Sequence, residues 1–228
     1  MNYRIRAAGK TLEVYIYDYI GGWMAGVTPQ QIANDLKAAG KIDLINVRIN
    51  SPGGDVYDGI TIHNILKRHP ARVEVDIDGL CGSIATVVAM AADEIRIADN
   101  GTFMIHQPMT GMFGTVEDMR IAVERLELAE EQILDMYVAK TGGDREHLAE
   151  LMRAETWMSA SRAKEEGFVD EITDELELAA CFDLSRYRNA PKHLHAAAGP
   201  PTPNANIFRA KLAANASKVQ RICGGNPQ

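Results

Sequence analysis

Cysteine is scarce in this chain. Cys81, Cys181 and Cys223 are the only three in 228 residues, they lie far apart, and no two form a CxxC pair. An odd, dispersed set provides neither a disulfide framework nor a thiolate zinc site, and it suits a reducing cytoplasm. Long apolar runs are missing too. The N-terminus, Met1-Asn-Tyr-Arg-Ile-Arg, has no apolar core of signal-peptide length, and the run over 84–92 is far too short to span a bilayer. The expectation is a cytoplasmic protein with no membrane partner. Metal-binding patterns are absent as well. His63, His69, His106, His147, His193 and His195 make no HExxH or similar spacing, so no metal and no cofactor are expected. Gly9-Lys10-Thr11 imitates the end of a phosphate loop, but Arg4 stands where its first glycine belongs and a strand follows, so no ATPase is encoded.

Acidic residues stop near the end. Residues 186–228 hold seven basic side chains and no Asp or Glu, so a net charge of −7 leaves −14 on residues 1–185. An acidic body argues against nucleic acid as a partner. At 46% hydrophobic, 228 residues suffice for one domain with a core and an appendage.

Residues 12–18, 44–50, 72–78 and 94–98 read as strands rich in Val, Ile and Tyr, and 101–106 as another. Helical patterns lie between them. Thr28-Pro29 caps one helix to about Ala39, 56–67 is amphipathic, and Gly82-Ser83 leads into a third. Alternation of this kind predicts an α/β domain. Residues 115–141 keep helical spacing over roughly 40 Å, with apolar side chains on more than one face. That suits either a long core helix or, the favoured reading, a helix that projects and packs on a neighbouring subunit. Helices over 144–155 and 159–166 and a closing strand over 168–172 complete a domain of residues 1–185. The Pro/Ala/Asn-rich remainder, 186–228, reads as a flexible basic tail, in which 206–222 either forms a short amphipathic helix or stays disordered until it meets a partner. Its removal is expected to spare activity and to alter assembly.

Six serines are present, and Ser83 alone stands between a strand end and an apolar helix, among small neighbours. A serine there either caps the helix or acts as a nucleophile whose oxyanion faces unpaired amides. Gly53-Gly54, after the strand over 44–50, either makes a plain turn or bares an amide as a second oxyanion donor. His106 ends an apolar strand, where imidazoles are commonly structural but can also face a cleft.

Together, Asn50-Ser-Pro-Gly-Gly54, Gly79-x-x-x-Ser83-x-Ala85, Met104-Ile-His-Gln-Pro108 and Met158-Ser-Ala with Gly167-Phe-Val-Asp170 resemble the Clp protease proteolytic subunit family, in order and over about 12–172. The resemblance implies a ClpP/crotonase-like α/β fold of repeated ββα units with a long handle helix at 115–141. It implies a serine peptidase with Ser83 as nucleophile, His106 as general base and the amides of Gly54 and Ile84 as oxyanion hole. Gly111, Met112, Phe113 and Gly114 fall on the family's substrate-pairing strand. Protein substrates and a homo-oligomer, a heptameric ring or stacked pair of rings, follow, with an AAA+ unfoldase as a further candidate partner.

Three departures qualify the match. Glu155 stands where the family's triad has Asp, so its role as third catalytic residue needs backbone adjustment. Cys81-Gly82 replaces a small Ala pair. The N-terminal loop that engages unfoldases reads as short, and the tail is an addition. Those last features resemble the Clp-like head maturation proteases of tailed bacteriophages, which process scaffold and capsid precursors. The alternatives are a bacterial proteolytic subunit in protein degradation, a silent ring scaffold, and a crotonase-like acyl-CoA enzyme. The last would need carboxylates at the oxyanion hole and would have no use for Ser83 with His106.

Overall fold

The computed structural model describes residues 3–8, 10–174, 182–191 and 194. Among them one eight-stranded sheet organises the fold. Its strands are β1 (Tyr3–Ala8), β2 (Thr11–Ile16), β3 (Leu44–Ser51), β4 (Arg72–Gly82), β5 (Glu94–Ala98), β6 (Thr102–Ile105), β7 (Thr156–Ser159) and β8 (Glu171–Thr173). The order is β1-β2-β3-β4-β5-β8, with β6 paired to β4 and β7 to β6. Only β1–β2 and β6–β7 are antiparallel; every other pairing is parallel. Parallel neighbours need crossovers, supplied by α1 (Pro29–Ala39), α2 (Val56–Lys67) and α3 (Ile84–Ala89).

Local chemistry sets these elements. Thr28 accepts from the Gln31 amide and Gln31 answers at the Thr28 amide, a reciprocal cap followed by Pro29 in the first turn. Asp55 caps α2 with a single bond, accepting from the Asp58 amide. Alternation along β2 and β3 buries Leu12, Val14, Ile16, Ile45, Val47 and Ile49. The core continues through Val75, Ile77, Ile95 and the stacked pair Phe103–Phe168, which Tyr137 meets edge-on.

The other face carries a charged ladder. Arg48 binds Asp78 through two nitrogens, Tyr17 donates to the same carboxylate, and Arg96 Nε donates to Asp76 at 2.7 Å. Asp78 is 2% exposed, so its charge depends on Arg48. Arg48→Met is expected to destabilise the fold by about 3 kcal/mol. This is the low end for a broken buried pair, because the Arg48 side chain keeps 26% of its surface in water. Urea unfolding measures it, and a change under about 0.5 kcal/mol would show that the pair contributes nothing.

α4 (Val116–Thr141) is the long helix expected from the sequence. Its first buried residue is Ala129, and its earlier half exposes Val116, Met119, Ile121, Val123 and Leu128. The second half lies on the core through Ile133, Leu134 and Tyr137. The helix therefore does project. α5 (Arg145–Arg153) and α6 (Ala160–Glu165) follow.

Several details depart from the sequence reading, among them the closing strand, which spans Glu171–Thr173 and not 168–172. β1 and β7 were not expected, α5 is shorter than 144–155, and β4 runs four residues beyond 78. The extension of β4 is stabilised by β6, which pairs Leu80–Gly82 after β5 has left at Ile77. The packed body also continues past residue 185. Leu184 and Tyr187 are buried in a second apolar cluster with Leu80 and Met104. The helix expected over 206–222 lies outside the described residues.

Candidate active site

β3, β4 and β6 run parallel, so their C-terminal ends share one edge of the sheet. The loop after β3 carries Pro52-Gly53-Gly54, Ser83 directly follows β4, and His106 directly follows β6. In parallel sheets this edge is where side chains and loops converge on a ligand.

Ser83 makes a sharp elbow, with φ 55° and ψ −130°. A positive φ in a non-glycine residue costs about 1–3 kcal/mol and marks sites where geometry matters more than stability. The Ser83 amide donates to Met104 O at 2.8 Å, which ties the elbow to β6. The side chain does not cap α3. Its Oγ instead lies 2.7 Å from His106 Nε2. The Ser83 hydroxyl therefore pairs with the imidazole and leaves the helix uncapped.

The glycine loop sits against this pair. A Cβ on Gly53 would lie 2.7 Å from Ser83 Cβ and 3.1 Å from the Ile84 nitrogen. Ser51 shapes the turn, accepting from the Gly53 amide and donating to Asp18 O. The Ile84 amide is the first of α3, where a helix offers no internal acceptor. Gly54, Ser83, Ile84 and His106 line one cavity of about 540 Å³ with Val56, Tyr137 and Tyr187 among its walls. The residues expected to supply the oxyanion donors thus line one cavity with the expected nucleophile.

Gly111 also lines this cavity, and Met112 lines an adjoining one. Met112, Phe113 and Gly114 are exposed, and 111–114 pairs with no strand among the described residues.

Glu155 departs from the sequence expectation. It sits at the turn into β7 with φ 51° and is 5% exposed. Its carboxylate is not bonded to His106 among the described residues. It accepts from the Asn189 amide at 2.6 Å, the Arg188 amide at 3.0 Å and Trp157 Nε1 at 3.3 Å. The converging amides of 188–189 take the oxygens that the imidazole would need. Burial pushes the Glu155 carboxyl up, but these donors and the charge of His106 outweigh it and hold it below the ordinary value. The Glu155 charge still favours the protonated form of His106.

Burial pushes the His106 imidazole down, Arg186 and Arg188 push it further, and Glu155 opposes them, leaving it at about 4. A general base must be neutral, so it is available over the whole range above that value. kcat/KM is expected to stay flat from neutral pH to about 5 and to fall as pH drops through about 4. A peptide assay with far-UV circular dichroism as a folding control checks this. A break above pH 6 would contradict the burial.

The sequence reading missed Tyr187 and its neighbours. The Tyr187 ring meets His106 edge-on at 5.1 Å and Trp157 at 5.7 Å. Arg186 stacks on Tyr187 at 4.7 Å and on Tyr19 at 5.3 Å. The available signal was Tyr187, an aromatic side chain three residues after Leu184 at the start of a stretch otherwise read by its charge. No group of three or more metal-binding side chains occurs among the described residues, and no helix there is long and apolar enough to cross a membrane.

A hydroxyl on a strained elbow and an imidazole bonded to it, in a cavity that Gly54 and Ile84 also line, are the parts of a serine hydrolase. The Clp protease family model matches residues 10–176, and the chain belongs to that family. It is a serine-type endopeptidase. The chain is 29% identical over 169 residues to the ATP-dependent Clp protease proteolytic subunit 1 of Salinibacter ruber, covering 73% of this chain and 72% of that one. It is 33% identical over 147 residues to subunit 3 of Rhodococcus jostii, covering 63% and 70%. A solved structure of a ClpP1 mutant from Listeria monocytogenes superposes with a TM-score of 0.60 at 26% identity, over 73% of this chain and 92% of that one.

Proposed function

We propose that the protein hydrolyses peptide bonds through an acyl-enzyme on Ser83. The observation that carries this is the 2.7 Å contact between Ser83 Oγ and His106 Nε2 on the elbow. His106 takes the hydroxyl proton as Oγ attacks the carbonyl carbon, and the amides of Gly54 and Ile84 receive the oxyanion. His106 then gives the proton to the leaving amine, and water repeats the sequence on the ester. The main chain at Gly111, Met112, Phe113 and Gly114 aligns an extended substrate. The apolar side chains along the first half of α4 support a homo-oligomer, assembled as a ring or stacked rings. A fluorophosphonate should modify the assembled protein at Ser83, located by peptide mass mapping. No modification, with a control hydrolase labelled normally, overturns the reading.

For the setting, we favour maturation of a bacteriophage prohead, acting on scaffold and capsid precursors in the infected cytoplasm. The basic C-terminal stretch supports it, as an element able to dock on such an assembly. A second reading, a bacterial degradative subunit served by an ATP-driven unfoldase, is favoured by the names of the relatives. Cleavage of capsid precursor without ATP supports the first. Degradation of casein only with an unfoldase and ATP supports the second.

A further inference from the structure

Residues 186–189 touch three parts of the site that come from distant points in the chain. At the oxyanion loop, Pro52 O accepts from the Tyr187 hydroxyl at 2.5 Å and from Arg186 at 2.8 Å. At the base, the buried Tyr187 ring lies edge-on to His106. At the acid, the Arg188 and Asn189 amides hold both Glu155 oxygens, and Asn189 Nδ2 donates to Ala154 O at 2.9 Å. Leu184 and Tyr187 also pack on Leu80 and Met104, three and two residues before Ser83 and His106.

We infer that residues 186–189 form a clamp that sets the catalytic geometry, with Tyr187 as the positioning residue between His106 and the glycine loop. The inference rests on Ser83 and His106 being the catalytic pair. A tyrosine suits the task, because two side-chain torsions fix a large rigid surface at low entropic cost. The ring limits the tilt of the imidazole and keeps water from its edge. The hydroxyl pins the carbonyl beside the glycine loop, so base and oxyanion donors keep one distance. Displacement by about 1 Å can cost on the order of 100-fold in rate. The expectation that removal of the residues after Ser185 spares activity is therefore reversed: that truncation removes Tyr187 and both amide donors to Glu155.

The alternative is that Tyr187 only covers Leu80 and Met104. Two full-length variants separate the readings. Tyr187→Leu keeps an apolar cover but loses ring and hydroxyl, and its kcat is expected to fall about 100-fold with KM little changed. Tyr187→Phe restores the ring and should lose only about fivefold, the worth of one hydrogen bond. The acid limb of kcat/KM should move up toward the ordinary imidazole value in Tyr187→Leu and stay in place in Tyr187→Phe. Glu155, Arg186, Arg188 and Ser83, the other groups facing His106, are unaltered in both. Wild-type kcat and acid limb in a folded Tyr187→Leu protein would overturn the clamp. If that variant does not fold, Tyr187→Phe decides, and a kcat within twofold of wild type overturns it. Failure of the wild-type protein to label at Ser83 would instead remove the catalytic reading beneath it.

Discussion

Ser83→Ala is expected to lower kcat about a million-fold, the loss found when a serine peptidase is stripped of its nucleophile. The size follows from what the pair does together. In the proposed mechanism Ser83 Oγ forms the acyl bond, and His106 Nε2, 2.7 Å from it, takes the proton. His106→Ala should cost about as much, and the double variant no more than either single one, because the two act as a unit. The fold should survive Ser83→Ala, since the Ser83 side chain caps nothing and its amide bond to Met104 O is kept. Peptide turnover by purified variants, with host peptidases removed, reads the effect. Residual activity above about 1% of wild type would be far too much for an enzyme without its nucleophile and would assign the chemistry elsewhere.

The parts that were legible in the sequence are those whose causes are local. The Thr28-Pro29 cap, the span of α2 and the length of α4 follow from spacing and capping within a few residues. The order of Ser-Pro-Gly-Gly, Ser83 and His106 pointed to the site, and the strand ends bring them together. What was hidden depends on distant partners. β4 outruns its expected end because β6, twenty residues on, supplies the pairing. Glu155 lies near the expected place, but its oxygens are claimed by amides 33 and 34 residues away. Tyr187 sits in a basic stretch whose composition reads as a tail, while its partners Pro52 and His106 lie 135 and 81 residues upstream. Charge and composition describe a segment, and nothing in them says which surface it will cover.

Gly54→Ala is expected to reduce kcat by about 100- to 1,000-fold, the range for loss of one oxyanion donor. The cause is a close backbone approach. A Cβ at residue 54 would stand 1.9 Å from Ile20 O and 2.8 Å from the Ile20 nitrogen and carbonyl carbon. These are main-chain atoms, so no rotamer change relieves the overlap. The loop cannot yield freely either. Gly53 O accepts from the Ile20 amide at 2.9 Å, and the Asp55 amide donates back to Ile20 O at 2.8 Å. Relief must therefore break those bonds or swing the residue 54 amide away from the nucleophile. Because the donor acts on charge that develops in the transition state, the loss should fall on kcat, with KM changed little. Fluorophosphonate labelling should slow in parallel, since the phosphoryl oxygen would occupy the same hole. A variant with normal kcat and a raised KM would mean that the residue 54 amide binds substrate and takes no part in holding the oxyanion.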